Sequence, residues 1–461
     1  MKVGDKMSVN INELSLPDGQ IVSDNEEIKK LSSDKFTEAI EEDNQPLAVI
    51  QAKSVADVQA AVKFANDNRI PVTARGAGTS IVNGSAAEKG GLIIDLTQLN
   101  KILEINIPNQ YAIVQAGVLN SDLDEEVRKH GYFFSPDPGS KRISSVGGNI
   151  ATNAGGMSSL KYGTTKQSVV GLQVVLADGK LVELGGKTFK NNAPYDLTDL
   201  FVGSEGTLGI ITAATVKLLP IPFGNPVTGL ATFDNMKQLS IGVQNISGSG
   251  LYPSMMEALN KTSIEALDNL EKSDLGKGGA ESLLIFQLDV APAGAVDALK
   301  KILTKSGALQ VNVTDDPDYA KKIIKIRQDY YQAEAAYGRL IVEDVAVPLS
   351  KLPDLADFVE KLQFTSKVTA FLGGHAGDGN FHPNFAVSKE YSETPADVND
   401  AINRIFKYVQ SIGGTISAEH GIGDLKYKWV LPQLGEDVVE LQRKVKAAFD
   451  PNNILNPGRK V

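Results

Sequence analysis

The chain has 461 residues, 42% hydrophobic and 22% charged, which is ordinary for a globular protein with a sizeable core and about two or three domains. A formal net charge of −10 without any basic run excludes nucleic acid as an expected partner. No apolar run approaches the roughly 18 residues of a membrane span, so we expect neither a transmembrane segment nor a secretory signal. The absence of cysteine excludes disulfides and cysteine-ligated iron–sulfur clusters and predicts a cytoplasmic protein.

The first part of the chain predicts an arm followed by a mixed α+β domain. Residues 1–40 are polar and acidic, include one short helix, and are expected to form an N-terminal arm. A strand is predicted at 48–54. Ser54 and Asp57 then have the spacing of a capping box at the start of a helix. One face of this helix is apolar at Val55, Val58, Val62 and Ala65.

A glycine-rich loop follows the next apolar segment. Glycines beside small hydroxyl residues expose backbone N–H groups that can cradle a phosphate. The residues of the loop are Arg75, Gly76, Ala77, Gly78, Thr79 and Ser80. Ile81 stands where the Rossmann fingerprint needs glycine, we expect no βαβ unit around the loop, and a plain glycine turn is the alternative. The GGKT stretch at 185–188 is not a Walker loop, because Leu181 occupies the first glycine position.

The next stretch predicts three short strands and one helix. The strands are 92–96, 101–105 and 111–117. The helix is expected to be capped by Ser121 and to bury Leu123 and Val127. We interpret His130, at the end of this helix, as a structural C-terminal residue.

A second glycine-rich stretch is denser. Prolines stiffen the backbone at 135–140, and glycines and small polar residues follow at 143–156. Structural turns rarely need so many small residues, so we interpret this stretch as one wall of a large-cofactor site, with plain turns as the alternative. The candidate contacts are Pro138, Gly148, Asn149, Thr152, Gly155 and Gly156. A hairpin at Asp178–Gly179 and strands within 203–220 complete a first domain expected to span 41–221.

The second domain, expected at 222–461, has its own α+β rhythm. Strand 281–290 and helix 294–305 are typical of a ferredoxin-like unit. One long helix is predicted over 318–338, with Arg327 beside its apolar face, where such a residue is usually a solvated charge. That face contains Ile323, Ile326, Tyr330 and Ala333. Two later helices are expected to pack through Val398, Ile402, Ile405 and Val409, and through Val438, Leu441, Val445 and Phe449.

Two of the four histidines lie in residues 373–384, which read GGHAGDGNFHPN. Turn-forming residues separate His375 from His382, which predicts two strand ends joined by a tight turn, with both imidazoles aimed into one pocket. Glu419 and His420 follow later. Two imidazoles and a carboxylate suit a divalent metal and leave positions open for a substrate. The alternative is loop histidines that lie near one another by chance.

Several motifs, in this order, resemble the FAD-binding domain of the vanillyl-alcohol oxidase/PCMH flavoproteins. They are RGAGTS (75–80), SPDPGS (135–140), SVGGNIATNAGG (145–156), KYG (161–163) and GSEGTLGI (203–210). Later motifs are similar to the branch that contains FAD-dependent D-lactate dehydrogenase, the glycolate oxidase flavin subunit and D-2-hydroxyglutarate dehydrogenase; they are GGHAGDGNFHPN, SAEHGIGDLK (417–426) and FDPNNILNPG (449–458). The resemblance implies an α+β fold: a PCMH-type FAD-binding domain followed by a ferredoxin-like α+β substrate (cap) domain.

The resemblance also implies which residues hold FAD. The 75–80 loop would bind the pyrophosphate through backbone N–H groups. The residues implied to assist at the pyrophosphate are Gly148, Asn149 and Gly155. Those implied to lie along the flavin or its ribityl chain are Thr152, Gly156, Tyr162 and Gly163. Those implied to contact the adenine half are Glu205 and Ile210. Asn456, in a segment 420–461 that returns to the flavin, would contact it from the other domain. Without cysteine, and without histidine near the loop, the FAD is expected to be non-covalent.

The same resemblance implies the chemistry. The ligands of a divalent metal (Zn²⁺, Mn²⁺ or Fe²⁺) would be His375, His382 and Glu419. Arg327 would grip the substrate carboxylate, while His420 and Asn384 match positions that are catalytic or that support the metal ligands. The implied reaction is the oxidation of a D-2-hydroxy acid to its 2-oxo acid, in which the metal lowers the hydroxyl pKa, His420 takes the proton and hydride passes to flavin N5. The rate is then expected to fall below the pKa of His420.

One departure from the family pattern bears on the substrate. The D-2-hydroxyglutarate dehydrogenases have a lysine for the distal carboxylate between the arginine and a later aspartate, and ungapped alignment of Arg327 and Asp344 places Val342 there. A second carboxylate left unpaired in the pocket costs several kcal/mol in order of magnitude. D-lactate or glycolate is therefore favoured, although Lys325 or Arg339 could compensate from another direction.

Other classes of function stay open on the sequence alone. Within the family the alternatives are a glycolate oxidase flavin subunit that works in a complex and a D-2-hydroxyglutarate dehydrogenase. If the protein is a metallohydrolase, it is expected to be colourless. If it is a non-redox flavoprotein, it is expected to be yellow and not to be bleached by hydroxy acids. If it is a non-catalytic flavin-binding module, its bound FAD is expected to be unaffected by loss of the metal. The electron acceptor is left as a quinone, a cytochrome, an electron-transfer flavoprotein or oxygen. A homodimer is compatible with the sequence.

Overall fold

The computed structural model describes residues 10–22, 24–37 and 45–460. Part of the expected N-terminal arm, residues 1–9, 23 and 38–40, lies outside the described residues. Among the described residues, none of the helices combines the length and apolar character that a membrane crossing requires.

The first half of the chain contains short strands and six helices in the described residues. The strands are β1 Gln20–Val22, β2 Ala48–Gln51, β3 Val72–Arg75, β4 Leu92–Asp95, β5 Ile102–Asn106, β6 Tyr111–Gln115, β7 Tyr132–Phe133, β8 Val169–Val175, β9 Leu181–Gly185, β10 Ile210–Lys217 and β11 Leu219–Pro220. The helices are α1 Asn25–Leu31, α2 Val55–Asn68, α3 Asn120–Arg128, α4 Val146–Thr152, α5 Ser159–Tyr162 and α6 Leu197–Phe201. The predicted capping box begins α2, since the Ser54 and Asp57 side chains each accept the other's backbone N–H.

Two larger sheets form this half, and β7 and β11 pair as a separate two-stranded antiparallel sheet. In the first, β2, β4 and β3 are parallel, and β1 pairs antiparallel with β2 at the edge, which places the segment after residue 10 on the first domain. Helix α2 connects β2 to β3, so a βαβ unit precedes the 75–80 loop, and none surrounds the loop, as expected. Irregular chain rather than a helix follows this loop, so the arrangement still differs from the Rossmann fingerprint. The second sheet is antiparallel, in the order β5-β6-β10-β8-β9.

Helix α3 differs from its prediction at its first residue. It begins at Asn120, and the residue at its cap position is Leu119, without a side-chain hydrogen bond, so the predicted cap on Ser121 is wrong. The backbone N–H of Asn120 bonds to Ser144 O instead, and this loop contact fixes the start of the helix. Leu123 and Val127 are fully buried against the second sheet, as predicted.

The second domain contains one large antiparallel sheet and nine helices in the described residues. The strands are β12 Val227–Phe233, β13 Met255–Asn260, β14 Ser282–Leu288, β15 Gln310–Thr314, β16 Arg339–Val342, β17 Val345–Ala346, β18 Val368–His375 and β19 Asn380–Val387. The helices are α7 Met236–Ser247, α8 Lys261–Glu271, α9 Ala295–Lys305, α10 Pro317–Gln328, α11 Tyr330–Ala335, α12 Leu352–Glu360, α13 Ala396–Ser411, α14 Val430–Leu434 and α15 Glu436–Phe449.

The strands of this sheet follow the order β15-β12-β14-β13-β18-β19-β16, and β17 also pairs with β19. Helices cover both faces. One apolar cluster joins the sheet to α7, α9, α12 and α13, and another joins it to α8, α10 and α11. Because β13, β18 and β19 are adjacent at the centre, polar side chains on these strands are buried unless a site opens beside them.

Two helix predictions need correction. The long helix over 318–338 is broken at Asp329 into α10 and α11, although its predicted apolar face is buried on both sides of the break. The last helix does not pack as predicted, because Val438 is 43% and Leu441 61% exposed. Only its end, at Val445 and Phe449, packs against the core of the first domain.

The C-terminal segment returns to the first domain. Leu455 forms a parallel bridge with Val72 beside β3. The Asn456 amide nitrogen donates to Gly84 O (3.0 Å) and Glu205 O (2.7 Å), so this side chain ties together three separate stretches of chain. The two domains therefore share a long seam, and the polar groups of the second domain face the glycine-rich segments of the first across it.

Candidate active site

A hairpin places two histidines side by side at the centre of the large sheet. Strands β18 and β19 pair from Val368↔Val387 to His375↔Asn380, and a tight turn joins them, as the residues between the histidines predict. His375 and His382 are 7% and 8% exposed, with ring centroids 5.5 Å apart. The predicted arrangement of two strand ends with both imidazoles in one pocket is confirmed.

Three imidazoles surround one carboxylate oxygen, Oε1 of Glu419. It lies 3.3 Å from Nε2 of His375, 3.4 Å from Nε2 of His382 and 3.6 Å from Nε2 of His420. The Glu419 side chain is only 11% exposed. The predicted ligand atoms of His375, His382 and Glu419 all lie within 4.8 Å of one another, close enough to bind one ion.

Asp344, which the sequence did not single out as a site residue, holds the turn that presents Glu419 and His420. Its Oδ2 accepts hydrogen bonds from the backbone N–H groups of Ala418, Glu419 and His420 at 2.8, 2.9 and 2.9 Å. A carboxylate that accepts several N–H groups is strongly favoured as the anion. The charged carboxylate of Asp344 therefore fixes the backbone at Glu419 and His420.

Glu257 was also missed by the sequence. It lies on β13 directly opposite His375 on β18 and is fully buried. Its Oε1 lies 2.7 Å from His375 Nδ1, and its Oε2 accepts from Arg327 Nε at 2.7 Å. Arg327 is therefore paired in the protein interior and is no solvated helix charge. Burial opposes the imidazolium, but Glu257 and Glu419 outweigh it and hold the pKa of His375 well above its usual value.

Asn384 pairs with a third carboxylate that the sequence missed. Its Nδ2 donates to Glu334 Oε2 at 2.8 Å, and Glu334 on α11 is fully buried. Burial raises the pKa of Glu334 to about 7. The other amide atom, Asn384 Oδ1, is buried without a hydrogen-bond partner in the protein. Such an atom is costly unless a ligand satisfies it.

His420 stacks beside His382 at a centroid distance of 5.0 Å. Burial lowers the pKa of its imidazole to about 4. The ring is therefore neutral near pH 7 and able to accept a proton.

The charges around the hairpin suit a cation. The carboxylates in or beside the site are Glu257, Glu334, Glu343, Asp344 and Glu419, and the paired cations are Arg327 and Lys426. Imidazole and carboxylate donors at one point, in an electronegative surrounding, fit a borderline divalent ion. The donor set is therefore compatible with the metal that the sequence predicts.

The glycine-rich segments of the first domain lie opposite this cluster and close on one another. A Cβ at Gly76 would overlap the Ser145 hydroxyl, so the 75–80 loop touches the start of α4. A Cβ at Gly155 would overlap Oε2 of Glu419, so the second glycine-rich stretch touches the histidine cluster. Asn149 Nδ2 is buried without a protein partner. These contacts bring the two predicted glycine-rich walls and the histidines into one region.

Comparison with known proteins identifies the family. A model described as "FAD binding domain" matches residues 46–185, and one described as "FAD linked oxidases, C-terminal domain" matches residues 225–460. The chain belongs to the FAD-linked oxidase family. This FAD-linked oxidase is 35% identical to the glycolate oxidase subunit GlcD of Bacillus subtilis, over 90% of this chain and 89% of that protein. It is also 35% identical to a D-lactate dehydrogenase of Anaerostipes hadrus, again over 90% and 89%.

Solved structures agree on the fold. The FAD-linked oxidase matches p-cresol methylhydroxylase with a TM-score of 0.76 at 19% identity, over 95% of this chain and 93% of that chain. It matches an alkyldihydroxyacetonephosphate synthase with a TM-score of 0.72 at 21% identity, over 97% and 83%. The predicted α+β fold with a PCMH-type FAD-binding domain is confirmed, and so is the prediction of an FAD-dependent oxidoreductase.

Several predicted FAD contacts of the FAD-linked oxidase are engaged by the protein itself. The Arg75 guanidinium is buried and faces Asp34 at 3.4 Å, so this residue offers the cofactor only its backbone. The Glu205 carboxylate accepts from Ile422 N at 2.9 Å and joins the two domains. Ile210 packs in the core of the first domain. Their expected role toward FAD stays a prediction that rests on their place in the motifs.

The other predicted residues lie along the same seam. The Thr152 hydroxyl donates to Gly148 O at 3.2 Å, and the Tyr162 hydroxyl bonds to Asp289 of the second domain. Gly163 has φ +77°, a value that glycine adopts without strain. Pro138 O accepts the Lys141 N–H and shapes the turn beside Gly156. The FAD-linked oxidase thus offers a lining of backbone and small side chains that is compatible with a bound FAD.

Proposed function

We propose that this FAD-linked oxidase oxidises a small D-2-hydroxy acid, with D-lactate favoured, to the corresponding 2-oxo acid. The observation that carries the proposal is the position of Glu419. Its Oε1 lies within 3.3 to 3.6 Å of three imidazole nitrogens, while its Oε2 abuts Gly155 of the FAD-binding domain. A divalent ion held there would be adjacent to the cofactor domain.

The bound groups supply two kinds of chemistry. His375, His382 and Glu419 would hold a divalent ion (Zn²⁺, Mn²⁺ or Fe²⁺) and the glycine-rich segments a non-covalent FAD. When bound, the ion polarises the substrate hydroxyl and FAD accepts a hydride. Everything else depends on residues of the chain.

Those residues have distinct roles. The Arg327 guanidinium binds the substrate carboxylate, for which its planar fork of N–H donors is suited. The Asn384 Oδ1, which has no protein partner, offers the site a further hydrogen-bond acceptor. His420, whose pKa burial lowers to about 4, takes the hydroxyl proton at Nε2, the nitrogen that faces Glu419.

The surroundings of Val342 support a monocarboxylate. Val342 lies opposite Asn384 across β16 and β19, so both side chains are on one face of the sheet. Arg339 is three residues away on the strand and therefore points to the other face. Lys325 is exposed and bonds to Asp329 and Glu271. We infer that neither cation pairs with a second substrate carboxylate.

An anaerobic visible spectrum tests the proposal directly. Purified enzyme is mixed separately with D-lactate, L-lactate or glycolate, and the absorbance of the flavin band at about 450 nm is followed. Bleaching by D-lactate and not by L-lactate supports the proposal, and its loss after treatment with a chelator supports the metal. A yellow enzyme that no 2-hydroxy acid bleaches would contradict it, and so would a protein that cannot be loaded with FAD.

Glycolate oxidation is the second candidate. Relatives named glycolate oxidase subunit and D-lactate dehydrogenase are equally similar to this chain, at 35% identity. Glycolate lacks the methyl group of lactate, so a site that is adapted to lactate should prefer it by the contribution of that group, roughly 10- to 200-fold in kcat/KM. The same spectra, recorded against substrate concentration, separate the two. The electron acceptor would be a quinone, a cytochrome, an electron-transfer flavoprotein or oxygen.

A further inference from the structure

The buried carboxylate of Glu257 joins two parts of the site that the proposed function uses separately. One oxygen bonds to Nδ1 of His375 (2.7 Å) and the other accepts from Nε of Arg327 (2.7 Å). The side chain has no exposed surface. No other residue bridges the histidine cluster and this arginine among the side-chain hydrogen bonds of the described residues.

We propose that Glu257 is a positioning residue that fixes the orientation of the metal ligand His375 and of the substrate-binding Arg327 at the same time. This inference rests on the proposed function of the site. Glu257 itself touches neither the substrate nor the ion. It acts through its two partners.

The contact with Glu257 decides which nitrogen of the His375 ring carries a hydrogen. Each neutral imidazole carries one N–H and one bare nitrogen. A carboxylate can only accept, so Glu257 keeps a hydrogen on Nδ1, and a cation that binds the ring takes the place of the proton on Nε2. Nε2 is the nitrogen that points at Glu419 Oε1, 3.3 Å away. Glu257 therefore holds His375 in the form that can donate an electron pair to a cation.

The same carboxylate also fixes the orientation of the Arg327 guanidinium. The guanidinium uses Nε–H toward Glu257 and lies over the Tyr330 ring at 5.2 Å. These two contacts fix the plane of the guanidinium. A bidentate grip on a substrate carboxylate requires two of the remaining N–H groups in a fixed fork, so the plane must be held before the substrate arrives.

Sequence position explains why both partners meet Glu257. Strands β13 and β18 pair with Glu257 opposite His375, and opposed residues of antiparallel strands share a face. Arg327 reaches the same face from α10, which packs there through Ile323 and Ile326. The sheet register and one helix thus fix the bridge.

The test is a metal titration of three chains that are free of metal but loaded with FAD. Mn²⁺ is titrated calorimetrically into wild type, Glu257→Gln and Asp268→Asn, without substrate. Glutamine keeps the shape but has one acceptor atom for two donors, so it cannot satisfy His375 and Arg327 together. Asp268 is the matched control, because its carboxylate bonds only the 273–276 turn in the same domain.

The expected result is a Mn²⁺ affinity about 10- to 100-fold weaker in Glu257→Gln and unchanged in Asp268→Asn. The KM for D-lactate should rise in Glu257→Gln, since Arg327 loses its support, and both effects should be smaller in Glu257→Asp if the shorter carboxylate keeps one partner. FAD content and thermal unfolding show that each variant is folded, and Glu257→Asp replaces Glu257→Gln should the latter not fold.

The outcomes separate this inference from the proposed function. Equal Mn²⁺ affinity in wild type and in the Glu257 variants would overturn the positioning role and leave the metal site intact. A wild-type enzyme that binds no Mn²⁺, Zn²⁺ or Fe²⁺ but is still reduced by D-lactate would overturn both this inference and the metal part of the proposed function. If metal binding is weaker in Glu257→Gln but the KM for D-lactate is unchanged, Glu257 does not position Arg327 for the substrate.

Discussion

Gly155 of the FAD-binding domain lies directly against Glu419 of the second domain: a Cβ at position 155 would overlap Glu419 Oε2 and lie 3.1 Å from its Cβ. The position of the carboxylate that gathers the histidines is therefore bounded by the other domain. The glycine is required for this close approach, whatever else it contributes to cofactor binding. The histidine cluster of the second domain therefore borders the FAD-binding domain directly.

The first prediction concerns this contact. Gly155→Ala should push the Glu419 carboxylate away from the histidines and weaken Mn²⁺ binding at least about tenfold, the usual effect of displacing the support of a ligand. Calorimetric titration of the FAD-loaded variant measures it. Gly139→Ala is the control, because no atom lies within 4 Å of its added methyl group. Wild-type Mn²⁺ affinity in Gly155→Ala would show that the contact is not needed.

The second prediction concerns Asp344. Asp344→Asn removes the charge that accepts the N–H groups of Ala418, Glu419 and His420, and the amide presents an N–H₂ group to one side of this nest. We expect kcat/KM for D-lactate to fall about 100-fold, because a small misplacement of catalytic groups costs that much.

Asp397 supplies the control for Asp344. Its Oδ2 accepts the N–H groups of Thr365 and Ser366 in the same way but at the surface, at the start of α13. Asp397→Asn should lower stability only slightly and leave the turnover of D-lactate unchanged. A similar loss of turnover in both variants would mean that Asp344 acts through stability and not through the turn.

The third prediction concerns pH. Burial raises the pKa of Glu334 from 4.5 to about 7, so the folded chain holds this proton more tightly than the unfolded chain. This contribution is present below pH 4.5 and is lost as the pH rises to about 7. Glu334→Gln keeps an acceptor for Asn384 and does not titrate. Its stability relative to wild type should therefore rise by up to about 3 kcal/mol between about pH 5 and about pH 8.

Urea unfolding of both chains at several pH values measures this difference. Because the same histidines titrate in both chains, their effect cancels in the comparison. A difference that does not change with pH would show that the Glu334 carboxyl titrates normally in the folded enzyme.

The fourth prediction concerns substrate size. Val342→Lys places a cation on the face that carries Asn384, so the ratio of kcat/KM for D-2-hydroxyglutarate to that for D-lactate should rise at least about tenfold, the discrimination expected from pairing a buried carboxylate. Lys325→Ala should leave the ratio unchanged, because Lys325 is exposed and paired elsewhere. An unchanged ratio in Val342→Lys, with the variant folded, would remove Val342 from the substrate pocket.

Much of the local structure could be predicted because it depends on neighbours in sequence. The capping box at Ser54 and Asp57, the buried face of α10 and α11, and the hairpin that carries His375 and His382 all follow from spacings of a few residues. The motifs also identified the family correctly, since their order and spacing are specific. The errors occurred where distant chain decides, as at the exposed Leu441 and at the start of α3.

The sequence by itself determined the fold class, the family and the identity of the histidines and of Glu419. Only the tertiary structure decided that Glu257, Glu334 and Asp344 belong to the same site. These three acids lie on β13, on α11 and after β16; the sequence used Asp344 only to align the family pattern, and nothing in the local sequence of Glu257 or Glu334 distinguishes them from solvated carboxylates. They became part of the site because sheet register and helix packing buried them beside cations and imidazoles. A buried charge must be paired, and its partners are set by the fold and not by the neighbouring residues.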